Sequence, residues 1–131
     1  MTILDTHVLV WWLGQPDKLS KKAKQEIDKV VKSSEVGIST ITIWEICMLV
    51  KKNRLKLTMD LESWIDKIEE LPFLQFIPVD NKIALKSVLL NDKLHQDPAD
   101  RIIIATALTH GAKLVTSDTR ILKYKEVQSI W

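Results

Sequence analysis

The sequence predicts an α/β protein in which a mainly parallel central sheet is flanked by helices, in a three-layer α/β/α arrangement. Short apolar runs alternate with amphipathic segments along the whole chain, which is typical of a parallel sheet with helical connections. The length of 131 residues fits one domain, and 46% hydrophobic with 27% charged residues is the balance of a soluble globular protein. We therefore expect one domain that spans residues 1–131.

The first half of the chain reads as two strand–helix units with one further helix. The predicted elements are a strand at 3–5, a helix over 6–13, a charged helix from 20 to about 32, a strand at 36–39, a helix that carries residues 44–50, and an amphipathic helix with apolar positions 61, 64, 65 and 68. Gly14 and Pro16 break the first helix, and Thr40 or Thr42 is expected to cap the third.

The second half repeats the alternation of strands and helices. The predicted elements are a strand over 73–79, a helix over 81–90, a long apolar helix over 98–110, a strand over 113–117, and a last short edge strand at 126–129. Gly111 can end the long helix, and Asp118 follows the fourth strand directly.

Charge and cysteine content exclude several classes of protein. Nineteen basic and seventeen acidic residues give a net charge of +2, which by itself does not indicate nucleic-acid binding. The single cysteine, Cys47, excludes an internal disulfide, and the apolar stretches are too short to span a bilayer. With no basic leader before an apolar run, we expect a cytoplasmic protein.

Acidic residues recur at the predicted carboxyl ends of the strands, where the ligands of open α/β sheets bind. Five positions share this placement: Asp5, Glu45, Asp97, Asp100 and Asp118. Each has a structural explanation when taken singly. An aspartate followed by proline is a common helix start, so a helix cap is the better single explanation for Asp97.

Together the five acids indicate a cation site. Carboxylates gathered within a few ångströms repel one another, and a bound cation relieves that repulsion. A set of Asp and Glu oxygens without cysteine or paired histidines suits Mg²⁺ or Mn²⁺ rather than structural zinc. We interpret His7 and His95 as core or surface residues rather than as ligands.

Four segments resemble the four motifs of PIN-domain ribonucleases, and they look most like those of the VapC toxins of toxin–antitoxin pairs. In chain order the segments are residues 3–7 (ILDTH), 39–45 (STITIWE), 95–101 (HQDPADR) ahead of 104–107 (IATA), and 114–118 (LVTSD). The family often has a bulky residue where this chain has Ala99. The resemblance implies a PIN-like fold and a Mg²⁺- or Mn²⁺-dependent endoribonuclease, in which metal binding and catalysis fall to Asp5, Glu45, Asp100 and Asp118, with Asp97 as an auxiliary acid.

Further residues are candidates for supporting roles around this site. Three hydroxyl residues are expected to hydrogen-bond the acids, namely Thr6, Ser39 and Thr116. Arg101 is a candidate phosphate contact, or else a counter-charge to the two neighbouring aspartates. A basic run is a candidate RNA-backbone contact, although the macrodipole of a helix C-terminus is the stronger explanation for it: Lys51, Lys52, Arg54 and Lys56.

The resemblance also implies two protein partners, a second copy of the chain and a small VapB-like antitoxin. Five tryptophans are many for a core of this size, which favours a protein interface. Two alternatives stay open. One is a PIN-fold module that binds RNA or protein without catalysis. The other is a Mg²⁺-dependent phosphatase or receiver, which fits less well because a phosphatase requires an aspartate where this chain has His7.

Overall fold

The computed structural model describes residues 1–131 and places five parallel strands at the centre of the molecule. The strands are β1 (Thr2–Leu4), β2 (Val36–Ser39), β3 (Leu74–Ile77), β4 (Lys113–Val115) and β5 (Ser129–Ile130). Their order in the sheet is β3-β2-β1-β4-β5, and every neighbouring pair is parallel. The prediction of a mainly parallel sheet is confirmed, and β1 lies at its centre.

Seven helices connect and flank the strands. They are α1 (Thr6–Gly14), α2 (Lys21–Lys32), α3 (Thr40–Lys51), α4 (Leu61–Glu69), α5 (Asn81–Leu89), α6 (Pro98–Thr109) and α7 (Thr119–Leu122), with one 3-10 turn at Pro16–Lys18. No helix is long and apolar enough to cross a bilayer.

Two separate apolar cores lie on the two faces of the sheet. Consecutive residues of a strand point to opposite faces, and accordingly Leu4 and Val115 belong to one core while Ile3 and Leu114 belong to the other. Helices α1, α2 and α4 contribute to the first core, and α5 and α6 contribute to the second. This division gives the three-layer arrangement, and it explains why the central strands read as continuous apolar runs.

Side-chain caps set the beginnings of most helices. Asp97 caps α6 by accepting a hydrogen bond from the backbone N–H of Asp100, as its position before Pro98 predicts. At α3 the prediction of a threonine cap was wrong: Ser39 is the cap residue and accepts from the backbone N–H of Ile41. Thr40 already has helical geometry and therefore cannot be the cap.

Some boundaries near the end of the chain differ from the prediction. The last strand is Ser129–Ile130 rather than 126–129, because its register is set by pairing with Leu114 and Val115 of β4. Val127, inside the predicted range, is instead a buried core residue. Gly111 has a φ of +57°, which agrees with its predicted place at the end of the long helix.

Candidate active site

An acidic pocket lies at the carboxyl edge of the sheet, where β1, β2 and β4 end side by side. Its volume is about 420 Å³. All five acids singled out in the sequence line it, and the complete lining is Asp5, Thr6, His7, Trp11, Glu45, Asp97, Asp100, Ser117, Asp118 and Arg120. The fold thus brings together acids that are up to 113 positions apart in the chain.

Asp5 occupies the floor of this pocket, directly after the central strand. Its side chain is 8% exposed, and its two oxygens accept hydrogen bonds from Thr116 Oγ1 at 2.6 Å and from the backbone N–H of Thr6 at 2.8 Å. Burial raises the pKa of Asp5 although both hydrogen bonds act in the opposite direction. The hydrogen bonds from Thr116 Oγ1 and from the Thr6 N–H fix the position of the Asp5 carboxylate.

Glu45 reaches the pocket from the middle of α3. Its Oε1 accepts a hydrogen bond from Thr6 Oγ1 at 2.5 Å, and the same hydroxyl lies 3.4 Å from Thr42 Oγ1. Burial raises the pKa of Glu45, with smaller contributions from the negative charges of Asp5 and Asp97. Thr6 thus links α1 to α3 and orients Glu45 toward the other acids.

Asp100 lies in the first turn of α6, beside its cap residue Asp97. Burial raises the pKa of Asp100 to about 8, and the negative charges of four neighbouring acids add to the shift: Asp5, Asp97, Glu45 and Asp118. Among the five acids, the pKa of Asp100 therefore shows the effect of mutual repulsion most clearly.

Asp118 caps the short helix α7 and is paired with Arg120. The guanidinium donates to both carboxylate oxygens, with N–O distances of 3.2 and 2.9 Å, and this pairing lowers the pKa of Asp118. The Arg120 side chain is 61% exposed and is the only lysine or arginine of the pocket lining. Arg120 was not among the residues predicted from the sequence, although its position two residues after an acid was an available signal.

His95 lies next to Asp100. Its Nε2 lies 3.3 Å from Asp100 Oδ2, and ligand atoms of His95, Asp100 and Asp118 all lie within 4.8 Å of one another. The interpretation of His95 as a core or surface residue rather than a ligand stays a prediction, but its ring lies beside Asp100. Its place two residues before Asp97 is the signal that could have found it, because that loop leads into α6.

Two supporting residues have different positions from those expected. The Ser39 hydroxyl caps α3 and does not contact an acid. Arg101 is 5% exposed, and its guanidinium donates to the backbone carbonyls of Ser87, Leu90, Leu94 and His95. A buried guanidinium with these partners cannot contact a phosphate, so the expectations for Ser39 and Arg101 are corrected.

The basic run after α3 lies outside the acidic pocket. Lys51 ends α3, roughly 9 Å along the helix axis from Glu45, and Lys52 follows it. Arg54 and Lys56 line a second cavity, of about 530 Å³, together with Trp64. Contact of Lys51, Lys52 and Arg54 with an RNA backbone remains a prediction.

The chemistry of the pocket fits a hard divalent cation. The groups that could bind a cation are mainly carboxylates, whose oxygens Mg²⁺ and Mn²⁺ prefer. Burial together with mutual repulsion raises the pKa of three of these carboxyl groups. The buried Nε2 of His95 has no hydrogen-bond partner, which is uncommon for a buried polar atom outside a functional site.

The raised pKa of Asp100 predicts that the stability of the cation-free protein depends on pH. Between the ordinary value of 3.8 and about 8, the folded state binds more protons at Asp100 than the unfolded state. The free energy of unfolding therefore falls as pH rises through this window. In EDTA at about pH 8, we expect Asp100→Asn to raise the Tm by about 3–8 °C, and to raise it less at about pH 5. Calorimetry at both pH values measures this difference, and an equal gain at both would contradict the repulsion argument.

Fold and site together define a class: a parallel α/β protein with a carboxylate cluster at the carboxyl edge of its sheet. The family model of the PIN domain matches residues 2–127. The chain belongs to the PIN-domain family.

Individual relatives are similar to this chain over nearly its whole length. The chain is 31% identical over 128 residues to ribonuclease VapC22 of Mycobacterium tuberculosis, which covers 98% of this chain and 95% of the relative. Two solved structures share the fold. One is VapBC2 from Rickettsia felis bound to a promoter DNA fragment, with a TM-score of 0.73, 19% identity and coverage of 98% and 96% of the two chains. The other is FitAcB from Neisseria gonorrhoeae, with a TM-score of 0.71, 21% identity and coverage of 100% and 97%.

Proposed function

We propose that this chain is a metal-dependent endoribonuclease of the VapC toxin type, formed by a single PIN domain. The observation that carries the proposal is the meeting of Asp5, Glu45, Asp100 and Asp118 in one solvent-open pocket. The 31% identity to a protein named as a ribonuclease supports the proposal. The alternative of a phosphatase or receiver has no comparable support.

The four acids divide naturally into two pairs. Asp5, held by two donors, and Asp100, in the first turn of α6, would bind Mg²⁺ or Mn²⁺ directly. Glu45 and Asp118 would complete the cation shell, directly or through water, and orient the attacking water. When bound, the cation supplies charge neutralisation at the phosphate oxygens and a more acidic water. Asp97, whose side chain caps α6, remains an auxiliary candidate.

Substrate binding needs positive charge at the rim of so acidic a pocket. Arg120 provides it, since its guanidinium is exposed and lines the pocket. We therefore assign the phosphate contact that the sequence suggested for Arg101 to Arg120. An anionic phosphodiester that approaches Asp118 would meet this guanidinium before it meets the carboxylates.

The direct test is cleavage of a panel of structured RNAs by purified protein that has been freed of partners. We expect cleavage with Mg²⁺ or Mn²⁺, none with EDTA, and recovery when the cation is added back. Calcium in place of magnesium serves as a control for electrostatic effects on the RNA itself. Cleavage that persists in EDTA would indicate a contaminating nuclease. Cation-dependent RNA binding without any cleavage would favour the non-catalytic PIN-fold module.

We also propose that a small antitoxin of the VapB type binds this chain in the cytoplasm. The solved structures of similar fold include toxin–antitoxin complexes, which supports the proposal. Co-expression with the neighbouring short reading frame should yield a stable complex in which RNA cleavage is suppressed. Failure of every adjacent small protein to bind would remove this part of the proposal.

A homodimer is the second proposed assembly. Three apolar side chains on α5 are largely exposed, at spacings that place them on one helix face: Leu85 at 62%, Val88 at 74% and Leu89 at 72%. A second copy of the chain would bury this stripe. Light scattering should give a dimer mass that Val88→Asp reduces to a monomer, whereas Lys24→Asp on α2 should leave the mass unchanged.

A further inference from the structure

We propose that His95 is a positioning residue for the cation site, and that its Nε2–H donates a hydrogen bond to Asp100 and orients that carboxylate. The inference rests on the proposed function, because it concerns the same cation. It adds a residue that is not an acid and that approaches the pocket from the loop between α5 and α6.

The backbone around His95 is held in place from the buried side of the loop. Arg101 Nη2 donates to the Leu90 carbonyl at 2.8 Å, and Nη1 donates to the carbonyls of Leu94 and His95 at 3.3 and 3.5 Å. The arginine thus ties both ends of the loop segment to α6, the helix that carries Asp100. A ring fixed to this segment keeps a constant distance from the carboxylate.

A second contact selects the tautomer of the His95 ring. The backbone N–H of Asp97 donates to His95 Nδ1 at 3.4 Å, so Nδ1 must present a lone pair. A neutral imidazole carries one N–H, which places the proton on Nε2. Because Nε2 then has no free lone pair, the ring acts as a donor toward the pocket and not as a cation ligand.

The Nε2 atom is buried and has no aligned hydrogen-bond partner. Its nearest acceptor is Asp100 Oδ2 at 3.3 Å, a distance that a small rotation of the carboxylate converts into a hydrogen bond. An oxygen that is held by Nε2–H leaves the other Asp100 oxygen available to the cation. Such partners of ligating groups fix orientation and thereby strengthen metal binding.

His110 provides a matched control. It is exposed at the C-terminal end of α6 and does not line the acidic pocket. Leucine at position 110 removes an imidazole without changing the surroundings of Asp100. Glutamine at position 95 is the conservative variant, because its amide nitrogen can reach the place of Nε2.

The first experiment is NMR on the full chain with ¹⁵N-labelled histidine, with and without Mg²⁺. We expect His95 to be protonated on Nε2 in both states, and the Nε2–H resonance to move downfield when Mg²⁺ binds. The second experiment is calorimetric titration with Mg²⁺ alone. We expect His95→Leu to weaken Mg²⁺ binding about 10–100-fold, His95→Gln to retain most of the affinity, and His110→Leu to leave it unchanged.

The possible outcomes separate this inference from the proposed function. Absence of Mg²⁺ and Mn²⁺ binding in the unmodified protein would overturn both. Binding that is lost in Asp100→Asn but unaffected in His95→Leu would overturn only the role of His95. Protonation on Nδ1, or equal loss of affinity in His95→Gln and His95→Leu, would likewise overturn it.

Discussion

Replacement of Asp100 by asparagine is expected to abolish measurable Mg²⁺ binding and to lower RNA cleavage at least about a thousandfold. The carboxylate is one of two proposed direct ligands, and burial beside four other acids makes it the group that depends most on a cation. An amide of the same shape keeps the packing but loses the negative charge. Calorimetric titration and single-turnover cleavage with excess enzyme measure the two effects.

Asp66→Asn is the matched control for this substitution. Asp66 is an exposed acid on α4 and does not line the acidic pocket, so we expect unchanged cation affinity and cleavage. Retention of cleavage by Asp100→Asn, in protein that is free of contaminating nuclease, would mean that the pocket is not the catalytic site. If Asp100→Asn retained cation binding but lost cleavage, only the assignment of Asp100 as a ligand would be wrong.

Replacement of Arg101 by methionine is expected to lower the Tm by roughly 10–20 °C, which corresponds to about 3–5 kcal/mol. The substitution keeps much of the side-chain volume but removes the donors that satisfy carbonyl groups between Ser87 and His95. Buried carbonyls left without partners lose their hydrogen bonds and do not regain water. Thermal unfolding followed by circular dichroism gives the shift.

Arg54→Met controls for the loss of an arginine as such. The Arg54 side chain is exposed, so its replacement should change the free energy of unfolding by no more than about 0.5 kcal/mol. A similar small effect at position 101 would show that the loop does not depend on its guanidinium. In that case the fixed distance between His95 and Asp100 would also lose its structural support.

The buried carboxylates that the proposed function requires lower the stability of the cation-free protein. Hydrogen bonds from Thr116 and Thr6 hold two of the carboxylates in place, yet burial still raises the pKa of both. A site that favours the neutral forms without a cation is one in which cation binding releases protons and adds stability. The predicted stability gain of Asp100→Asn in EDTA and its predicted loss of cleavage thus have the same origin.

Most of the fold was predictable because the relevant signals are local. Alternating apolar runs located the strands, and the pairs Asp97–Pro98 and His110–Gly111 marked the ends of α6 within a residue. The errors fall where local signals compete or are weak. Three hydroxyl-bearing residues within four positions, Ser39, Thr40 and Thr42, made the start of α3 ambiguous, and the two-residue strand β5 depends on its pairing with β4.

By itself the sequence determined the sheet, its helical layers and the five acids, since each is encoded by residue type and spacing along the chain. Only the tertiary structure decided which neighbours those acids have. It placed His95 and Arg120 beside them, and it turned Arg101 inward onto carbonyl groups. The physical reason is that the direction of a side chain depends on burial and hydrogen-bond partners, which come from segments distant in the sequence.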